Sequence, residues 1–593
     1  MRFTRSGSAF SILLFASTAL PATLQAQIAP TREEIQRERV LTPEARTGAR
    51  LSVEGGIERA PCPLADPRFA DIRVTISEVR FNKLAAVPPE ALRAAWARHQ
   101  GQSVPIATVC EIRDEAATIL RRMGYLAAVQ VPPQKIEDGV VQFDVLMARL
   151  VGIQVRGDAG RSERQIAGYL EKIREQDVFN IHDAERYLLL ARDLPGYDVR
   201  LTLRPAGTVP GEVIGEVAVL HTPIELDANI QNYGSKDVGR FGGVARVQFN
   251  GLTGLGDQTT FSVFSTADFE EQLVLQAGHA FRLGSDGLTL SGDFTYAWTD
   301  PDIGGGLELK SETLVANLAL SYPILRGQSA NLFVAGGLDY VDQQVEFRSD
   351  PPTSISEDKL RVAFLRLDYD TIDPASLAST RGYSTAEPRW RTGASIELRQ
   401  GLDIFGASKP CGANFVNCTF PNTPLSRIDA DTTAFVARAS GYAEFRPTPL
   451  LAISLSPSAQ WAPDPLLSYE EFSAGNYTVG RGYDPGSIIG DSGIGVQAEL
   501  RYGSILARGA GSIALQPYLF FDAAKVWNED FTLPVIGRTR LYSAGGGLRA
   551  AWGNHARLDA TVGVPLRRTG LQIEKPDPRL LISLTVKFLP WNR

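Results

Sequence analysis

The 593-residue sequence is poor in the residues that most often carry chemistry, with four Cys and five His. His99, His182, His221, His279 and His555 are scattered without the spacing of a metal site. No catalytic constellation accompanies them, so neither enzymatic activity nor a cofactor is expected. After the first thirty positions there is no uncharged apolar run of about 18 residues, which excludes a bundle of membrane-spanning helices. A long basic block is also missing. The 60 Lys plus Arg stand against 67 Asp plus Glu, a net charge of −7, and nucleic acid is not an expected partner. What is present, 44% hydrophobic residues and 55 Gly, is too apolar for a disordered chain. A soluble multidomain protein and a membrane β-barrel remain, and hydropathy alone separates these poorly.

At the N-terminus, Arg2 and Arg5 precede an apolar stretch from Phe10 to Ala19 and a small-residue region ending Leu24-Gln25-Ala26. This is the layout of a secretory signal peptide over residues 1–26. In an exported chain an even number of Cys points to disulfides, and the spacing pairs Cys62 with Cys110 and Cys411 with Cys418. Zinc is the alternative, which the scattered His disfavour. Residues 27–60 are polar and punctuated by Pro and Gly. Within them Thr31-Arg32-Glu33-Glu34 forms a capping box that opens a short helix, Arg32 to Val40, with Glu38 in its last turn. Without a broad apolar face, it reads as a solvated helix on a linker.

Residues 61–148 and 149–221 show one β-α-α-β-β pattern twice. In the first copy the strand Ile72–Ile76 precedes helices near Pro89–His99 and Thr108–Met123 and strands near Ala127–Val131 and Val140–Met147. In the second, strand Leu150–Val155 precedes helices Ser162–Ile173 and Ile181–Arg192, the latter capped by Asn180, and strands Val199–Leu203 and Glu212–Leu220. Each unit places two helices on one face of a three-stranded sheet. One sheet edge stays open, where an extended peptide could add as a strand. The doublet resembles POTRA domains, periplasmic modules of outer-membrane transport and assembly proteins.

From 222 to 593 the helical period gives way to strict alternation. Leu288, Leu290, Phe294, Tyr296 and Trp298 share one face of a strand, and Leu580, Ile582, Leu584, Val586 and Phe588 one face of the last. A soluble sandwich would alternate too. Aromatics at strand ends (Trp298, Tyr322, Tyr340, Phe588) fit a membrane-interface girdle. Short turns at 326–328 and 447–449 alternate with long polar loops around 343–358 and 403–430. At roughly 23 residues per strand and connection, this length gives about 16 antiparallel strands, an allowed even number. The fold expected is thus two α+β POTRA domains followed by a transmembrane antiparallel β-barrel.

The last third carries the sharper resemblance. Gly480-Arg481-Gly482-Tyr483 lies in a long polar segment between strands Leu451–Trp461 and Gly493–Tyr502, and Phe520-Phe521-Asp522 follows. The first resembles the VRGY motif on the inward-folded sixth loop of two-partner secretion transporters (haemolysin secretion/activation proteins of the ShlB/FhaC/HecB type), with Gly480 replacing its Val. The second resembles the family's F-x-D motif on an inner barrel wall. Asn232-Tyr233-Gly234 with Gly239-Arg240, and Tyr322-Pro323-Ile324-Leu325-Arg326, resemble its first hairpin and a stretch before a periplasmic turn. One departure is the end, where Leu-Pro-Trp-Asn-Arg follows Phe588.

The resemblance implies an outer-membrane transporter with its POTRA domains in the periplasm. These would bind an unfolded partner exoprotein, which passes through the barrel as the RGY loop shifts. It implies a loop lock made of Arg481, Gly482, Tyr483, Phe520 and Asp522, and a pore-filling helix containing Arg32, Glu34 and Glu38. Outer-membrane lipid and the barrel assembly machinery are the further partners implied. An assembly or insertion factor shares the barrel motifs but usually carries more POTRA domains; a passive porin would explain the alternation but not the POTRA pair. Gly490-Asp491-Ser492-Gly493 resembles a protease nucleophile segment without its context and reads as a strand start. The Gly-rich run 251–256 reads as a hairpin turn.

Overall fold

The structure is a computed structural model. It describes residues 30–36, 51–53, 62, 64 and 66–591, apart from positions 208, 302–307, 380, 420, 508, 510, 530–538 and 570–573. The expected signal peptide lies outside the described residues.

The first module is built on the helix Thr108–Arg122. Its Val109, Ile112, Ala116 and Leu120 recur at helical spacing and are fully buried. They face a sheet in which Val140–Met147 runs between Glu78–Asn82, parallel to it, and Ala127–Gln130, antiparallel. The expected single strand at 72–76 is divided. Arg73–Thr75 pairs with Ser103–Pro105 in a separate ribbon, and Glu78–Asn82 enters the main sheet. The expected first helix is two short 3₁₀ turns, Pro89–Ala95 and Ala97–His99. Cys110 on the long helix is bonded to Cys62, and Cys411 to Cys418.

The second module follows its sequence pattern closely. Helices Glu163–Arg174 and Ile181–Arg192 cover the strands Arg149–Gly157, Tyr197–Pro205 and Glu212–His221. The Asn180 side chain accepts from the His182 N–H and caps the second helix. The sheet edge that sequence reading left open is filled: Leu51–Val53 adds in parallel to Tyr197–Pro205. The modules are stitched by backbone bonds from Phe179 N–H to Ala148 C=O and from Ile181 N–H to Gly124 C=O, both 2.8 Å.

Sixteen antiparallel strands then form a closed barrel, sealed by pairing of the first, Ile224–Gln231, with the last, Arg579–Leu589. Alternation puts Leu318, Leu320, Leu365, Leu519 and Leu580 on the exposed outer face, as a lipid-facing surface requires. The closed ring satisfies every interior strand edge without helices. Around 343–358, where a loop was expected, the seventh and eighth strands continue as Ala330–Phe347 and Thr353–Ile372. At about 3.4 Å per residue they outreach an apolar band of about 25 Å, and beyond it Asp342, Gln344 and Glu346 alternate with the buried Val341 and Val345, so the stretch reads as loop. Loop residues cover them, with Ser426 N–H donating to Asp358 at 2.9 Å. Tyr340 lies under the Arg361 guanidinium, 3.4 Å from the ring centre, rather than in a girdle. Beyond Phe588, Trp591 stacks on His555 of the last near-end turn.

The second module is fixed to the near end of the barrel. Asp193 accepts from Arg326 Nε and Nη2, both at 2.7 Å. Arg161 donates to the Leu252 carbonyl at 2.8 Å, Gln165 to that of Gly284 at 2.6 Å and Arg186 to that of Pro323 at 2.9 Å. With Glu185 accepting from Gln328 Nε2 at 3.1 Å, these contacts reach the turns at 251–257, 284–287 and 327–329.

Candidate functional site

Residues 462–491 join the eleventh strand, Leu451–Trp461, to the twelfth, Ser492–Tyr502, at the far end. They turn back into the lumen, where a small ribbon of Phe472–Ala474 and Ile488–Gly490 frames their tip. Arg481 sits at that tip and meets Asp522 in the middle of the thirteenth strand, Ile513–Trp527. The contact is bidentate, Nη2 to Oδ1 at 2.7 Å and Nε to Oδ2 at 3.1 Å, and the Arg481 backbone N–H adds a third bond at 2.9 Å. Asp522 is fully buried. Glu499 is a second partner of Arg481, and itself receives Arg549 at 2.9 and 3.0 Å. The guanidinium lies over the Phe520 ring at 3.8 Å. A planar fork that pairs through its edge and stacks through its face suits Arg and not Lys.

The flanking residues fit the tip to the wall. Gly480 has φ +123°, and a Cβ there would meet Leu541 at 2.8 Å, which accounts for Gly where the family motif has Val. A Cβ on Gly482 would lie 2.7 Å from the Pro565 nitrogen, because the loop backbone runs directly against the fifteenth strand. Tyr483 is buried, its hydroxyl 2.9 Å from the Tyr542 carbonyl and 2.8 Å from that of Arg567.

The stem of the loop is held by charges that sequence reading missed. Glu470 accepts from Arg399 at 2.8 and 3.1 Å and from Arg438 at 2.6 Å. Glu471 accepts from Arg427 at 2.9 Å, and Asp491 also pairs with Arg427. Burial pushes Glu470 up, but Arg399 and Arg438 outweigh it and hold it at about 2. Burial carries Glu471 up to about 7; Asp491 adds to the rise, and Arg427 opposes it. The signal available was charge on the inward positions of alternating strands, at Glu397, Arg399, Arg438 and Glu499.

The N-terminal segment lies inside the barrel. The capping box is formed, Glu34 N–H to Thr31 Oγ1 at 3.3 Å and Thr31 N–H to Glu34 Oε2 at 3.0 Å. The helix spans Arg32–Ile35 with Gln36 as its cap; Glu38 lies outside the described residues. Arg32 pairs with Glu33 at 2.7 Å. The Gln36 side chain donates to the Tyr469 hydroxyl at 3.2 Å, and Gln276 of the wall donates to the Ile35 carbonyl at 3.4 Å. Two lumenal cavities flank the segment: one of about 780 Å³ touches Glu34 and Ile35, and one of about 950 Å³ touches Arg32, Glu33 and Gln36. Among the described residues no His, Cys, Asp and Glu group forms a metal site.

The family model described as haemolysin secretion/activation protein ShlB/FhaC/HecB matches residues 217–550. A model of the ShlB-type POTRA domain matches residues 74–147. The outer membrane transporter CdiB of Escherichia coli O6:K15:H31 (strain 536 / UPEC) is 24% identical over 92% of this chain and 86% of its own length. The heme/hemopexin transporter protein HuxB of Haemophilus influenzae (strain 86-028NP) is 23% identical over 45% of this chain, and the match spans 47% of that protein. Solved structures of CdiB from Escherichia coli and from Acinetobacter baumannii share the fold, with TM-scores of 0.69 and 0.65 at 18% identity. They cover 97% and 96% of this chain, and 98% and 99% of their own.

Proposed function

We propose that this chain, which belongs to the ShlB/FhaC/HecB family of haemolysin secretion/activation proteins, keeps its export route closed at rest with two inserted elements. It is a two-partner secretion transporter of the outer membrane, not an enzyme, and it exports a partner exoprotein. The near end of the barrel faces the periplasm with the POTRA region, and the far end faces outside.

The observation that carries the mechanistic reading is the insertion of residues 30–36 and 462–491 into one lumen. Arg481, held by Asp522 and Glu499 and seated on Phe520, is the lock of the inward loop; Gly482 and Tyr483 seat its tip. The Arg32–Ile35 segment is the removable part: it buries Glu34 and Ile35 and is tied to its surroundings by the hydrogen bonds of the Gln36 side chain and the Ile35 carbonyl, whereas buried ion pairs hold the loop. The two modules receive the unfolded exoprotein. Strand addition beside Tyr197–Pro205 requires displacement of Leu51–Val53, so capture at that edge and withdrawal of the N-terminal segment are coupled through one linker. Folding of the exported chain outside supplies direction. Lipid around the outer face and the barrel assembly machinery that inserts it complete the partners.

Export is tested by deleting the gene for this chain and assaying the culture medium for the exoprotein encoded beside it. Loss of the secreted protein with its periplasmic accumulation is the expected result; undiminished secretion would overturn the reading. The closed resting state is tested in planar bilayers. Removal of residues 27–40 is expected to convert a mostly closed protein into an open channel, and equal conductance before and after removal would count against it.

A further inference from the structure

The inner wall carries an apolar row where an aqueous pore calls for polar residues. Val244, Phe264, Val274 and Ala297 stand in direct register across the second to fifth strands, and all are buried. Four strands at about 4.8 Å spacing make this row about 14 Å wide, wider than one side chain. Ile35 belongs to the same apolar cluster and is 1% exposed. Beside it Gln276, on the same face as Val274, donates to the Ile35 carbonyl. The wall thus grips a peptide in two ways, an apolar pocket for a side chain and an amide for the main chain. Neither contact depends on the identity of neighbouring residues. The cavity of about 780 Å³ opens along Val244, Phe264 and Val274, leaving space beside the resident segment.

We propose that this row is a side-chain-binding site for the exported polypeptide, which residues 30–36 fill at rest in its place. The ligand is an aliphatic side chain within an unfolded segment, held by the row while Gln276 bonds its main chain. The site rests on the export reading and adds a preference to it: a chain carrying aliphatic residues at intervals competes with Ile35 and keeps the N-terminal segment out.

The test uses the full-length protein lacking residues 27–40, in planar bilayers, with synthetic peptides on the periplasmic side. The probes are residues 30–40 as a peptide, the same peptide with Ile35→Asp, and a Ser/Asn/Gly host peptide with or without one Ile. Block of the current at concentrations at least tenfold lower for the two Ile-containing peptides is expected. The difference should vanish with Val274→Asp and persist with Val274→Leu. Val244→Asn gives a second reading should Val274→Asp fail to form a heat-modifiable barrel. Equal block by all four peptides, or a preference that survives both pocket variants, overturns the proposal. Cell secretion reads the export function separately: intact secretion without peptide preference removes the site alone. Peptide preference in a protein whose deletion leaves secretion unchanged removes the export reading alone.

Discussion

On strands nine to fourteen the inward positions carry Glu397, Arg399, Arg438, Glu444, Glu499, Arg501, Asp522 and Arg549, joined to one another or to the loop by ion pairs. On strands two to seven they are mostly Gln, Ser, Thr, Asn and small or apolar residues, as at Thr260, Ser262, Gln276, Thr295 and Thr313. Both walls face one lumen, yet they hold what they touch differently. A buried ion pair fixes a single geometry, and breaking it leaves a charge stranded. An apolar contact with a neutral hydrogen bond is cheaply exchanged for another of the same kind. The charged half suits a part that stays; the neutral half suits a part that is replaced. Of the two inserted elements, the loop is therefore the more firmly held and the N-terminal segment the one more readily displaced.

The largest effect is expected from Asp522→Ala, which takes from Arg481 its bidentate partner and the acceptor of its backbone N–H and leaves Glu499, already shared with Arg549, as its one carboxylate. Removing one partner of a buried pair costs about 3–5 kcal/mol, so the heat-modifiable barrel should unfold at lower temperature and secretion should fall at least tenfold. Arg481→Ala should impair secretion less and leave membrane insertion intact, since Asp522 keeps the Ser543 hydroxyl at 3.3 Å and Glu499 keeps Arg549. A double variant no worse than Asp522→Ala alone would demonstrate the coupling. Gly482→Val comes next. Its side chain has no space against Pro565, so the loop tip should become accessible to a thiol reagent at a Cys placed at 487, with secretion several-fold reduced. On the neutral half, Ile35→Asp should raise bilayer conductance several-fold while leaving barrel thermal stability unchanged. A drop in stability comparable to that of Asp522→Ala would erase the distinction between the walls.

The smallest effect is one of pH. Glu471, raised to about 7 by burial among Arg427, Asp491 and Asp429, takes up a proton when the loop stem docks. Between about 4.5, its ordinary value, and 7 the docked state binds more protons than the undocked one. Docking is then firmest at the acid end and weakens as pH rises through 7. Channel openings should be a few-fold more frequent at pH 8 than at pH 5.5, and Glu471→Gln should flatten that dependence.

The residues legible in the sequence were those whose spacing reports their surroundings. Alternation through Leu580–Phe588 places the last strand, and helical spacing through Val109–Leu120 places the first module's core. Arg481 and Asp522, 41 positions apart in sequence, were joined only by family resemblance, because no local pattern links a loop tip to a wall. Glu470 and Arg399 were illegible for the same reason: their partnership is created by the fold-back of the loop. The strands beyond the membrane at 343–358 failed another way. Their many polar residues (Gln343, Gln344, Glu346, Ser354, Ser356, Glu357, Asp358) read as loop, although Val345 and Phe347 pack with Leu309 and Ile355 in a small apolar cluster. Leu51–Val53 lies in a stretch whose composition marks only a linker, and its strand exists because an edge awaits it.

The contacts of Asp193, Gln165 and Arg161 with the near-end turns also fix a direction of travel. Those turns join strands two to three, four to five and six to seven, which are the strands of the neutral wall. Backbone bonds between the modules make the periplasmic region a stiff bracket bolted under that half of the mouth. On the proposed route, a segment released from the bracket starts its passage beneath the apolar row, with no need to cross the lumen. The docking joint acts as an alignment guide, and Asp193→Ala would cost the protein aim more than strength.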